Sequence, residues 1–155
     1  PEDVRFICER LHQAGQTGWA VGGSVRDVIR GAPASDWDVA TDALPEKVVT
    51  LFKRVIPTGL KHGTVTVLLK GQAYEVTTLR GEGAYQDGRR PEKIHFLDDI
   101  VEDLARRDFT VNAIAYQPLS GTLVDPFGGR ELNVGLFKFM NDIRAMVPLW
   151  LQYGL

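Results

Sequence analysis

The sequence predicts a mixed α/β (α+β) fold in one small domain. Three observations carry that expectation. Near the start, Val4, Ile7, Cys8 and Leu11 recur at helical spacing. Two β-rich runs, 64–69 and 73–79, are joined by the turn residues Lys70-Gly71-Gln72 and read as a hairpin. Helical and extended stretches then follow one another without the regular alternation of a doubly wound sheet.

Taken in order, residues 2–14 read as an amphipathic helix. Residues 18–21 read as a strand that runs into the pair Gly22-Gly23, and 24–30 as a short helix stopped by Gly31 and Pro33. Residues 37–41 read as a strand. Residues 45–54 read as a helix with Pro45 in its tolerant first turn. After the hairpin, 80–95 is rich in Gly, Arg and acids and has little periodicity, the mark of a long functional loop. Residues 98–106 read as a helix with acids first and arginines last, as the helix dipole favours. Thr110 is placed to cap a second helix through residue 116. A short strand follows at 122–124.

Composition narrows the function. The chain has 155 residues, 44% of them hydrophobic and 25% charged, and a formal net charge of -2. That size is one domain with a core of its own. The charge gives no bulk attraction for nucleic acid, so an RNA role needs a few placed cations or a metal. Cys8 is the single cysteine, which fits a reducing compartment and a cytoplasmic location. No apolar run reaches the roughly 18 residues that argue for a membrane span, and the opening PEDVRFICER lacks the basic and apolar regions of a signal peptide. A dinucleotide fingerprint, a Gly-Lys-Ser/Thr phosphate loop and a zinc-ligand pattern are all missing; His12, His62 and His95 are scattered.

One stretch concentrates chemistry: GGSVRDVIRGAPASDWD, residues 22–38. A strand, a glycine pair and a helix start present backbone N–H groups to an anion, and glycine lets phosphate come close. Arg26 lies just inside that helix. Asp36 and Asp38, two apart at the start of a strand, point to one face with Trp37 away from it. Two carboxylates on one face suit Mg²⁺, which takes few carboxylates and completes its shell from substrate phosphates. Each part alone also reads as a turn, a cap or a surface ion pair; the combination at this spacing points to phosphoryl or nucleotidyl transfer.

These motifs resemble those of the bacterial-type (class II) tRNA nucleotidyltransferases and poly(A) polymerases, within the polymerase-β-like nucleotidyltransferase superfamily. GGSVRD and DWDVATD are joined by YEVTTLRGEGAYQDGRRP at 74–91, EDLARRDFTVNAIAY at 102–116 and LVDPFGGREL at 123–132. The resemblance covers roughly residues 16–135. It implies a small mixed β-sheet flanked by helices, the catalytic head, and addition of C and/or A from CTP and ATP to the 3′ end of tRNA. CCA addition is the leading expectation; CC-only, A-only and poly(A) addition, or a head that binds nucleotide with little turnover, stand beside it.

Carried over by residue, the resemblance makes Asp36 and Asp38 the Mg²⁺ ligands and Glu75 a third acid, with Thr77 and Leu79 on its strand face. Gly22, Gly23 and Arg26 match the triphosphate cradle, and Asp27 a residue that orients it. Asp108 and Asn112 match the segment that meets the incoming sugar; four apart, they share a face if a helix starts near Asp108. Arg106 and Arg107 read either as helix-end charges or as phosphate contacts. Arg90, in GRRP, is matched more closely than Arg80, Arg89 or Lys93, which read equally as solvated loop. Residues 80–107 hold six basic against seven acidic residues, so no basic stripe exists there. Glu102 and Asp103 are read as lying on a helix directed away from the base, so they are not expected to select it. Residues 1–135 are thus expected to form the head. The apolar 136–155 tail, where Pro148 interrupts a faint echo of the family's arginine helix, is expected to be a truncated or divergent neck, or a surface for self-association.

Overall fold

A computed structural model describes residues 1–81, 95–107 and 109–132. The chain forms α1 (Glu2–Gln13), β1 (Gly18–Val21), α2 (Gly23–Ile29), β2 (Asp38–Thr41), α3 (Pro45–Leu51), β3 (Val55–Gly59), β4 (Thr64–Leu69) and β5 (Gln72–Thr78). It continues through β6 (Arg80–Gly81), β7 (His95–Phe96), α4 (Ile100–Ala105), β8 (Ala115–Gln117) and β9 (Thr122–Val124). Seven strands make one mixed sheet in the order β3-β4-β5-β2-β1-β8-β9, and β6 pairs with β7 separately. Within the large sheet the β2–β5 pair is parallel and the other pairs are antiparallel. This is the small mixed sheet flanked by helices that the motifs imply.

Strand alternation divides the core in two. Ala20, Val39, Tyr74 and Val76 face the cluster built by Val4, Ile7, Cys8 and Leu11 of α1, Val25 of α2 and Val48 of α3. Val21 and Ala40, their neighbours in sequence, face the other cluster with Ile100 and Leu104 of α4. Side chains two apart share a face, so Asp38 stands on the α4 side with Ala40. The β4–β5 hairpin turns on Lys70 and Gly71, at φ 49° and 83°, the positive angles that a tight two-residue turn requires.

Four expectations need correction. Strand β3, which contains Pro57, is not among the expected elements; it lies at the sheet edge with a register shift between Ile56 and Gly59, where a missing N–H is tolerated. Helix α3 stops at Leu51, since Phe52 is already extended at φ -125°, ψ 146°. The expected helix from Thr110 to residue 116 is a 3-10 turn, Thr110–Asn112, followed by strand β8. There Ile114 enters one core cluster while Ala113 and Ala115 enter the other, a period of two that a short apolar run conceals. The 80–95 loop is bounded by the paired strands β6 and β7. Its interior at 82–94, with Arg89, Arg90 and Lys93, lies outside the described residues, as do Asp108 and the 136–155 tail.

Candidate active site

Strand β1 ends at Val21 and runs into Gly22, which has φ 78° and ψ -147° and caps α2. Few side chains tolerate that backbone. A Cβ on Gly22 would stand 3.3 Å from Asp38 Oδ2 and 3.7 Å from Arg107 Nη1. Backbone, carboxylate and guanidinium therefore meet at one point. The Ser24 hydroxyl, buried in the first turn of α2, donates to the carbonyl of Asp36 and fixes the approach to β2.

Asp38 opens β2 and is paired in register with Val21 on one side and Glu75 on the other. Parallel pairing of β2 with β5 is what brings a residue 37 positions away beside it. Asp36, exposed, precedes the strand, and Trp37 turns back to pack on the α1-side core. Burial, and then the charges of Glu75 and Asp36, push the Asp38 carboxyl above its ordinary value, against the pull of Arg107. Three acids thus share a field that favours added positive charge.

A cavity of about 470 Å³ opens here, lined by Val21, Asp38, Thr77, Arg80, Arg106, Arg107, Phe109 and Asn112. Its positive side comes from three arginines and is organised by Asp103, which is 1% exposed. Asp103 accepts from Arg106 Nε at 3.1 Å and Nη2 at 2.8 Å, from Arg107 Nη2 at 3.2 Å, and from the Arg80 backbone N–H at 3.2 Å. Arg80 Nη1 donates to the His62 carbonyl at 2.9 Å. Burial and then the neighbouring Arg106 guanidinium hold Arg80 below its ordinary pKa. Asp103, set aside from the sequence as a base-reading group, has a different place here, behind the arginines of the cavity wall. The signal was present in its spacing of three and four from Arg106 and Arg107. Phe109, 66% exposed at the cavity, was also overlooked.

Arg26 donates through Nε to Asp27 and through Nη1 to Asn112 Oδ1, both at 2.9 Å. Asn112 therefore reaches the site from a 3-10 turn, not from an α-helix face shared with Asp108. Gly22, Gly23, Arg26, Asp27, Asp36, Asp38, Glu75, Arg107 and Asn112 are assembled at one end of β1 and β2; Arg90 and Asp108 lie outside the described residues. The arrangement sets a carboxylate group beside a polar, arginine-lined cavity, with a glycine hinge between them. That is the chemistry of a polyphosphate held next to a cation. Among the described residues no three His, Cys, Asp or Glu side chains form a ready metal cage. The pair-plus-neighbour pattern instead fits a hard ion such as Mg²⁺, which draws remaining oxygens from phosphate and water.

Comparison with known proteins identifies the family of the chain. The sequence profile of the poly A polymerase head domain matches residues 18–136. The CCA-adding enzyme of Geobacillus stearothermophilus is 54% identical over 130 residues, which cover 84% of this chain and 32% of that protein. The CCA-adding enzyme of Bacillus cereus (strain G9842) is 53% identical over 125 residues, covering 81% of this chain and 31% of that one. The crystal structure of the Bacillus stearothermophilus CCA-adding enzyme in complex with CTP matches with a TM-score of 0.74 at 48% identity, over 83% of this chain and 30% of that chain. A tRNA nucleotidyltransferase complexed with a primer tRNA and an incoming ATP analog matches with a TM-score of 0.62 at 27% identity, over 82% and 36%. The chain spans about a third of the length of these relatives. Motifs, fold and profile converge: the chain belongs to the poly A polymerase head domain family, the group of bacterial-type tRNA nucleotidyltransferases and poly(A) polymerases.

Proposed function

We propose that this chain is the catalytic head of a template-independent RNA nucleotidyltransferase that adds C and A from CTP and ATP to the 3′ end of tRNA. The observation that carries the reading is the register that sets Asp38 against Glu75, beside Gly22 and the arginine-lined cavity. Similarity to CCA-adding enzymes, one of them solved with CTP, supports CCA addition over poly(A) addition. Residues 1–135 form the head in this reading, and the location is cytoplasmic. Among the described residues no helix is long and apolar enough to cross a membrane.

Asp36 and Asp38 would hold Mg²⁺, with Glu75 as the third acid. When bound, the ion supplies Lewis-acid stabilisation of phosphate charge and favours the ionised form of the attacking hydroxyl. Gly22 and Gly23 keep the cradle open so that the triphosphate lies against backbone. Arg107, with Arg106 beside it, holds negative phosphate oxygens in the cavity. Arg26 acts through its bonds to Asp27 and Asn112, tying the cradle to the sugar-facing turn. Asn112, with Asp108, meets the ribose hydroxyls, and Arg90 contacts phosphate from the loop. In the reaction, the terminal 3′ oxygen attacks the α-phosphorus, and the bond to the departing pyrophosphate breaks. The proton leaves to a carboxylate of the site or to water.

The test is pyrophosphate release and single-turnover addition of labelled CTP or ATP to a tRNA primer, with Asp36→Asn and Asp38→Asn as controls. Transfer is expected in the unmodified chain and lost in both variants, while their thermal melts stay close to the parent. Near-parent rates in either variant would remove the metal assignment.

A further inference from the structure

The buried carboxylate of Asp103 belongs to neither the acidic group nor the glycine cradle. It stands on α4, behind the arginines that line the cavity, with its side chain 2% exposed against 21% for Arg106 and 23% for Arg107. Its Oδ1 is taken up by Arg106 and the Arg80 backbone, its Oδ2 by Arg107. Arg107 has two ends with different neighbours: Nη2 is held by Asp103, and Nη1 points toward Gly22. An arginine side chain has many rotamers, and two guanidinium groups side by side repel one another. One buried anion bonded to both removes both problems before any ligand arrives.

We propose that Asp103 is a positioning residue of the nucleotide site, which fixes Arg106 and Arg107 so that their free N–H groups face the triphosphate. Asp103 does not touch the nucleotide. It acts through the arginines, as an outer carboxylate acts through the ligand it orients. The inference rests on the nucleotide-site reading above and adds an ordering device to it. A carboxylate that served only to seal the α4 packing would have no reason to hold its partners at the cavity wall. Arg106, the C-cap of α4, and Arg107 just after it instead line the same cavity as Asp38 and Asn112.

The experiment uses the 155-residue chain, unmodified and as Asp103→Asn. Equilibrium binding of ATP with Mg²⁺ and of inorganic tripolyphosphate is measured, together with thermal melts. Proton–¹⁵N spectra of the arginine side chains are recorded without ligand. Asp103→Asn is expected to weaken both ATP and tripolyphosphate about tenfold or more, by the same factor. Separate, slowly exchanging Nη signals are expected for Arg106 and Arg107 in the unmodified chain, and averaged ones in the variant. Binding of ATP within twofold of the parent would overturn the proposal. A loss confined to ATP would do the same, because the arginines would then not be facing phosphate. If Asp103→Asn does not fold, the unmodified chain decides: freely rotating guanidinium groups overturn the proposal, and restricted ones support it. An unmodified chain that binds neither ATP nor tripolyphosphate would remove the nucleotide-site reading itself, and this inference with it.

Discussion

At Gly22 the backbone and the site meet. Its angles lie where glycine alone settles readily, and the space a methyl group would need is bordered by Asp38 and Arg107. Gly22→Ala therefore strains the turn and crowds the carboxylate at once. The strain is expected to cost about 1–3 kcal/mol in denaturant unfolding. ATP binding is expected to fall further than that loss explains, and an affinity equal to the parent's would show that nothing approaches this turn. Cys8 is the opposite case, a residue the core has withdrawn from chemistry. Burial, then the charge of Glu9, push its thiol up from 9.0 to about 12. Because the folded state favours the neutral thiol, that contribution to stability is complete below pH 9 and is lost as pH rises toward 12. The native thiol is expected to resist a thiol reagent at pH 8 and to react once the chain is unfolded; rapid labelling of the folded chain would contradict its burial.

At the scale of elements, α4 does more than its six residues suggest. Ile100 and Leu104 seat it on the sheet, Asp103 gathers the arginines, and Asp99 closes its first turn by accepting from the Val101 N–H at 2.8 Å. So short a helix has little intrinsic stability and depends on cap and packing. Asp99→Ala is expected to cost about 1 kcal/mol, which for a chain of this size lowers the melting temperature by about 2–4 °C. Since α4 sets the arginine wall, ATP binding in the same variant should weaken as well. A melt unchanged from the parent would show that the cap is dispensable. The β2–β5 pair matters in another way. Among the described residues it is the one parallel pair of the large sheet, and its register places Glu75 beside Asp38.

For the whole molecule, the described site has groups for phosphate, for a cation and for a sugar, and none that obviously reads the edge of a base. Arginines and backbone amides treat the four triphosphates alike. Phe109, with its exposed ring, offers a stacking face that any base fits. This chain is therefore expected to bind CTP, ATP, GTP and UTP with affinities within about tenfold, or roughly 1.4 kcal/mol. Equilibrium binding of each nucleotide with Mg²⁺ measures this. A hundredfold preference for CTP or ATP would mean that the head, or residues 133–155, reads the base after all.

What the sequence by itself determined follows from local rules. Helical spacing marked α1, two β-rich runs joined by Lys70-Gly71-Gln72 marked the hairpin, and the glycine pair followed by Asp-x-Asp marked the centre of the site. In each, the residues that carry the information are neighbours in the chain. The strand at 115–117 and the edge strand at 55–59 escaped, because a short apolar run and a proline do not reveal which partner strand will accept them. The place of Glu75 next to Asp38 came from strand pairing, which no local pattern specifies. In the sequence Asp103 is one of several acids early in the 98–106 helix, and its spacing of three and four to two arginines is compatible with an exposed face as well as a buried one. Only the packing of α4 against the sheet withdrew that carboxylate from water, and a charge so buried must be satisfied by the cations it holds.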